Sequence, residues 1–215
     1  MKDVGGITLI TSGNSGNGSN GWMNAISKVF PSSGWLINDG TISVNPESGK
    51  GGDIVTIEKY SNFELIVDFM YAPGANSGIK YFVDTEKEDG KFASIGCEYQ
   101  VLDDRLHPDA KLGINGNRTL GGLYDLIPPK NQRDNGADRW NRAVIIVKGS
   151  HVQHWLNGQM TVEYDRGTPE WKELVATSKY KNYPWFGEAT EGRILLQDHG
   201  NLVWYKNIKI REIEE

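Results

Sequence analysis

From residue 35 to residue 213 the chain alternates apolar and polar positions in short bursts, four to ten residues long, broken by Gly, Asn, Asp and Pro. The bursts read "WLIND-GTISVN", "DIVTIE", "FELIVDFMYA", "SGIKYFVD", "IGCEYQVLD", "RAVIIVKG", "HVQHWLNG", "GRILLQDHG" and "VWYKNIKIREI". Period-two alternation in runs rich in β-branched and aromatic residues predicts strands, and their regular spacing predicts an all-β sandwich or jelly roll rather than a parallel α/β sheet. "ITLIT" at 7–11 adds an earlier strand. Two hairpins are legible, one turning at Lys148-Gly149-Ser150 and one at Asn157-Gly158, where both residues tolerate positive φ. One surface helix is predicted in "TPEWKELVATSKY": Thr168 caps, Pro169 suits the first helical position, and Glu170 and Glu173 complement the helix dipole. "WMNAISKVF" at 22–30 also has a helix-like pattern. Residues 103–135 form the longest stretch without a period, and long loops on a rigid β scaffold are where binding groups concentrate.

Length and composition narrow this picture. A chain of 215 residues fits one domain, 1–215, and 26 glycines favour turns over long helices. The net charge of −5 gives no basic field to hold a phosphate backbone, so nucleic acid is not an expected partner. The single cysteine, Cys97, excludes an internal disulfide and a thiolate-cluster metal site, and its apolar setting predicts a buried small residue. No run reaches the ~18 apolar residues of a membrane span, and a soluble chain without a membrane partner is expected. The glycine-rich loop at 12–21 contains Gly16, Gly18 and Gly21 in dinucleotide-fingerprint spacing. That motif needs alternating helices and parallel strands after it, and short strands and turns follow instead.

Strand alternation then sorts the candidate chemistry. In "CEYQV", Cys97, Tyr99 and Val101 share one face, leaving Glu98 and Gln100 on the other. In "RILLQDH", Ile194 and Leu196 mark the core, which turns Gln197 and His199 outward. Two strands would thus present Glu98, Gln100, Gln197 and His199 from one outer sheet face, with Tyr99, Val101, Ile194 and Leu196 between the sheets. Ser77 and Lys80 match S-x-x-K, but three residues apart on a strand they point oppositely. His154 alternates with Val152 and Leu156, which leaves both a core and a site reading open. His107, with Asp103, Asp104 and Asp109 in the long loop, is a candidate oxygen-and-imidazole metal site, and His154 is a further candidate ligand. Trp140 and Trp185 are aromatic platforms for a sugar ring or core filling.

"FELIVDFMYAPGANSGIKYFV", "CEYQVLDD", "TLGGLYDLIPP", "RWNRAVIIVKGSHVQHWLNG" and "GRILLQDHGNLVWYKNIKI" together resemble the 3-keto-disaccharide hydrolase family, in family order from about Trp35 to Ile213. The resemblance implies a concanavalin A-like jelly roll of two antiparallel sheets whose concave face binds sugar, and cleavage of glycosides oxidised to a ketone at C3. A C3 ketone acidifies the hydrogen on C2, so C2 deprotonation, elimination at C1 and hydration of the product add up to hydrolysis. On that reading His199 carries the proton and Glu98 orients it or acts as partner acid. Gln100, Gln197, Asn76, Lys80, Asp103, Tyr124, Trp140 and His154 are the candidate contacts to an oligosaccharide or glycoside substrate. A divalent metal ion would suit the enolate, with His107, His154 and Asp103 as its candidate ligands. Export to the periplasm or beyond is expected, and a carbohydrate-binding module of the same fold without catalysis is the alternative. Where many members carry arginine after "NSGI" and in "FRNI", this chain has "KYF" and "YKNI".

Overall fold

The computed structural model describes residues 7–9, 21–84, 94–183 and 185–214. Among them are strands β1 (Ile7–Thr8), β2 (Trp22–Asn24), β3 (Trp35–Asn38), β4 (Thr41–Val44), β5 (Ile54–Thr56), β6 (Phe63–Tyr71), β7 (Asn76–Val83), β8 (Cys97–Leu102), β9 (Asn141–Lys148), β10 (His151–Leu156), β11 (Gln159–Asp165), β12 (Arg193–Leu196) and β13 (Val203–Glu212), with helix α1 (Pro169–Thr177) between β11 and β12. Eight strands form one sheet in the order β11-β10-β9-β6-β13-β4-β3, with β1 also paired to β13, and five form a second in the order β2-β5-β12-β7-β8. The fold is the all-β sandwich of two antiparallel sheets that the alternation predicts. Of the glycine-rich loop at 12–21, only Gly21 lies within the described residues.

The turns follow from their residues. Asp39 and Gly40 join β3 to β4, and Asn157 and Gly158 join β10 to β11, all four with positive φ. Paired positive φ values match the twist of the flanking strands, which favours Asn-Gly and Asp-Gly at such positions. α1 begins where expected, with Thr168 Oγ1 accepting a hydrogen bond from the Trp171 N–H at 3.1 Å. It ends at Thr177 rather than running on to Tyr180, because Ser178 is extended and its Oγ instead accepts from the Tyr180 N–H. Trp171 is sandwiched between the rings of Tyr164 and Phe186.

The helix-like pattern at 22–30 gives way to a strand and a turn. Trp22 is fully buried and donates from its indole to the Leu9 carbonyl, while the Asn24 side chain accepts from the N–H groups of Ile26 and Ser27. A side chain that satisfies the backbone locally competes with helix, and here it wins.

The two inner faces meet in one apolar core that includes Ile79, Tyr81, Cys97, Tyr99, Val101, Ile194 and Leu196 from the smaller sheet. Phe63, Leu65, Phe69, Ile145 and Tyr205 oppose them from the larger. The core thus takes up the four apolar partners expected between the sheets. A second cluster, Ala25, Val55, Val83 and Leu195, is separate from this core. The free edge of β8 is covered rather than bare: Gly121 N–H donates to the Gln100 carbonyl, Gln100 N–H to that of Gly122, and Tyr124 N–H to that of Glu98. An uncovered edge strand invites pairing with another chain, so this annealed segment of the long loop both seals the sheet and carries Tyr124 to the site.

Candidate active site

Strands β7 and β8 pair with Asn76 opposite Leu102, Gly78 opposite Gln100 and Lys80 opposite Glu98. Because Ile79, Tyr81, Cys97, Tyr99 and Val101 turn inward, Asn76, Gly78, Lys80, Glu98 and Gln100 share the outer face. Gln197 follows the inward Leu196, and its N–H bonds the Gly78 carbonyl at 3.0 Å, which carries the outer row across to a third chain segment. Glu98, Gln100, Lys80 and Asn76 are nonetheless buried, with the long loop annealed along β8 beside them.

This burial makes the unpartnered atoms informative. Glu98 is 3% exposed and Gln100 0%, yet Glu98 Oε2 and Gln100 Oε1 have no hydrogen-bond partner among the described residues. Buried oxygens without donors cost free energy that a bound ligand would recover. The Glu98 carboxylate lies across Gly78, where an added Cβ would collide with it. The Lys80 ammonium stands 3.7 Å from Glu98 Oε2 and donates to the Ser94 carbonyl at 3.0 Å.

Beyond Glu98 the long loop supplies a connected wall. Arg118 bonds Asp125 at 2.6 Å and Asp109 at 2.9 Å, and the Tyr124 hydroxyl donates to Asp109 at 2.7 Å. The carboxylates of Asp109 and Asp125 are thereby committed to hydrogen bonds, whereas Glu98 keeps an oxygen, Oε2, that is ion-paired with Lys80 but accepts no hydrogen bond among the described residues. Burial, then the bond to Asp109, pushes the Tyr124 phenol up, so it stays protonated. Lys179, just past α1, places its ammonium 3.9 Å above the Tyr124 ring. As a residue Lys179 is exposed, but its charged end is tucked in. Desolvation there lowers its pKa, and the negative charge of Glu98 opposes the shift.

His199 lies past the end of β12, exposed, with its ring 6.0 Å from that of His107 and edge-on to it. Partial burial, then the neighbouring His199, lowers the His107 pKa. Its Nδ1 accepts from the Asp109 N–H at 3.2 Å. Asp198 fixes this corner: its carboxylate accepts from Gly51 and Gly52, and its own N–H donates to Asp53. From the register, His199 lies near the Asn76 end of β7 while Glu98 is level with Lys80. Four residues along a strand and two strand spacings separate their backbones by about 16 Å. The sequence reading has Glu98 orienting His199 directly; among the described residues no hydrogen bond or ion pair joins the two, and this backbone spacing sets them toward opposite ends of the outer face.

Three expected contacts fall elsewhere. His154 is fully buried between the sheets, bonded through Nε2 to the Tyr81 hydroxyl, which also bonds Tyr164. Burial pushes its pKa down to about 3; the Gly121 and Gly122 backbone opposes this only in part, and Nδ1 has no well-formed hydrogen bond. Trp140 packs on the Lys206 ammonium at 3.8 Å, and Lys206 faces outward from the larger sheet, so Trp140 is on the opposite side of the sandwich. Asp103 spends its carboxylate on the N–H groups of Gly74, Arg105 and Leu106, which makes it a cap for the loop. With His154 in the core and Asp103 capped, the proposed trio His107, His154 and Asp103 does not converge. Among the described residues no group of three or more His, Cys, Asp or Glu is poised to hold a metal ion. Conversely, alternation gave no sign of Lys179 or Arg118, which enter from irregular segments.

A family model described as a 3-keto-alpha-glucoside-1,2-lyase-like domain matches residues 10–211. A Bacteroides thetaiotaomicron protein named 3-keto-disaccharide hydrolase is 36% identical over 219 residues, covering 91% of this chain and 75% of its own length. A glycosyl hydrolase-like protein from Parabacteroides distasonis superposes with a TM-score of 0.79 at 29% identity, covering 90% of this chain and 89% of its own. A Bacillus subtilis protein with a galectin-like fold, 15% identical with a TM-score of 0.54 over 95% of this chain and 93% of its own, shares the fold. On the extent of these matches, the chain belongs to the 3-keto-disaccharide hydrolase family of 3-keto-alpha-glucoside-1,2-lyase-like domains.

Proposed function

We propose that this carbohydrate hydrolase cleaves glycosides whose sugar ring carries a ketone at C3, on the outer face of the five-stranded sheet. The observation that carries the reading is the buried Glu98 carboxylate, whose Oε2 is ion-paired with the Lys80 ammonium at 3.7 Å yet accepts no hydrogen bond among the described residues. The C2 hydrogen of a 3-ketosugar is acidic enough for a carboxylate held this way to remove it. The C–H pair becomes the C2–C3 double bond, and the carbonyl pair moves onto the C3 oxygen. As that pair returns, C1–C2 becomes a double bond and the C1–O bond breaks, with the leaving oxygen taking the electrons and a proton. Water then adds hydroxyl at C1 and hydrogen at C2. No second carboxylate is needed, in keeping with the commitment of Asp109 and Asp125 to Arg118.

The separation of Glu98 and His199 divides the roles. Glu98, buried, is the base at C2. His199, exposed beside His107, exchanges protons with solvent at the leaving-group end. Gln100, Asn76 and Gln197 offer amide groups to the sugar hydroxyls. The test is a 3-keto-glucoside with a chromogenic aglycone, followed in D2O. Wild type should exchange C2 hydrogen and release aglycone, and Glu98→Gln should lose both by at least ~100-fold. Binding of the ketosugar without either event would leave a carbohydrate-binding module in place of an enzyme.

A further inference from the structure

Two lysines flank Glu98, and they are not equivalent. Lys80 is engaged, with a hydrogen bond to the Ser94 carbonyl and the Glu98 carboxylate close by. Lys179 has only ring faces for its ammonium, at 3.9 Å over Tyr124 and 5.0 Å over Tyr180; among the described residues it makes no hydrogen bond or ion pair from Nζ. Its backbone is pinned on both sides. The Lys179 N–H donates to Asp125 Oδ2 at 2.7 Å, and the next residue, Tyr180, is bonded through its N–H to Ser178 Oγ and stacked on Phe186 at 3.9 Å. The groups that act on its charge come from three directions: Glu98 from β8, Lys80 from β7, and Asp125 and Arg118 from the long loop. A cation on aromatic faces keeps its N–H donors free. An ammonium held on aromatic faces with its N–H donors free is placed to stabilise an anion that forms beside it.

Resting on the reaction proposed above, we propose that the Lys179 ammonium holds the C3 oxygen as the ketone becomes an enolate. Glu98 takes the C2 proton, the carbonyl pair moves onto the C3 oxygen, and Lys179 donates a hydrogen bond to that oxygen. When the carbonyl re-forms and the C1–O bond breaks, the hydrogen bond weakens and Lys179 is unchanged at the end of the cycle. The charge handled is generated and consumed within the turnover, so neither an oxidant nor a co-reactant is required. Lys179 is thus a catalytic residue by touching the reacting oxygen, and Tyr124 is a positioning residue that sets its height.

The experiment compares Lys179→Ala and Lys179→Arg with wild type on the chromogenic 3-keto-glucoside, reading kcat, KM and C2–H exchange separately, with thermal melting as the check on folding. Loss of one donor to a developing oxyanion lowers kcat by about 100-fold or more. The expected result is that fall in Lys179→Ala, an equal fall in C2–H exchange, KM within about threefold, smaller loss in Lys179→Arg, and partial rescue of Lys179→Ala by added ethylammonium. A change confined to KM, or kcat within about threefold of wild type, overturns the role of Lys179 while leaving the reaction standing. If wild type itself neither exchanges C2 hydrogen nor releases aglycone, the proposed reaction fails first, so the two failures are distinct.

Discussion

Glu98 lies across Gly78, two residues from its strand partner Lys80 on β7: an added Cβ at 78 would overlap Oε1 and stand 2.9 Å from Cδ and 3.0 Å from Cγ of the glutamate. The absence of a side chain at 78 is what lets the carboxylate fold down beside Lys80 while the backbone stays in register.

Gly78→Ala therefore separates activity from stability. Gly78 does not sit in the left-handed region, so alanine suits its backbone, and replacing a strand-interior glycine commonly gains about 0.5–1 kcal/mol. The added methyl must instead displace Glu98. The expected outcome is an unchanged or modestly raised Tm with kcat on a 3-keto-glycoside reduced by at least ~100-fold, as for loss of a general base. A variant with near wild-type kcat would show that Glu98 need not lie where it does.

How far the sequence reached can be judged from Glu98 and Lys179. Glu98 was legible because β8 is a regular strand: a period of two, one apolar face and one known core residue set the direction of every side chain from Cys97 to Leu102. The same logic placed Gln100 and Gln197, whereas Asn76 and Lys80 were candidates only through the family resemblance. It failed for Trp140, which precedes β9 and takes its direction from a turn, and for His154, where alternation was right about the face but silent on whether that face was core or site. Lys179 was out of reach, because a residue after a helix end is positioned by long-range bonds such as the one to Asp125, 54 residues earlier. His199 fell between the two cases. Extending the β12 alternation past Leu196 gave the correct sheet end but not the turn that Asp198 imposes.

Asp198 answers why an acid precedes His199. Its Oδ2 accepts from Gly51 at 3.1 Å and Gly52 at 2.9 Å, its Oδ1 from Gly200 at 3.0 Å, and its N–H donates to Asp53 at 2.9 Å. Asp198→Ala leaves the Gly51 and Gly52 donors without a partner and frees the segment that presents His199. Stability should fall by about 1–3 kcal/mol in urea titration. Activity should fall by more than that fraction unfolded explains, since a misplaced proton carrier loses rate without loss of fold. Asp198→Asn keeps one acceptor and should recover part of both. If alanine at 198 left stability and kcat as they are, the turn would not depend on its carboxylate.

His154 makes the final prediction, one of pH dependence. Burial holds its pKa at about 3 in the folded chain against the ordinary 6.5, so the unfolded chain binds the proton more readily. Stability from this group is fully present above 6.5, where His154 is neutral in both states, and drains as pH falls from 6.5 toward 3. Below about pH 5.5 the loss approaches 1.4 kcal/mol per pH unit. The Tyr81 hydroxyl needs a partner at this position, and glutamine keeps one without a titrating ring. Urea unfolding at pH 7, 5.5 and 4.5 should show wild type losing stability more steeply than His154→Gln, by about 1.4 kcal/mol between the two lower values. Carboxylates common to both chains cancel in that difference. Parallel curves would place the imidazole in contact with water, and with that would reopen His154 as a residue of the site rather than the core.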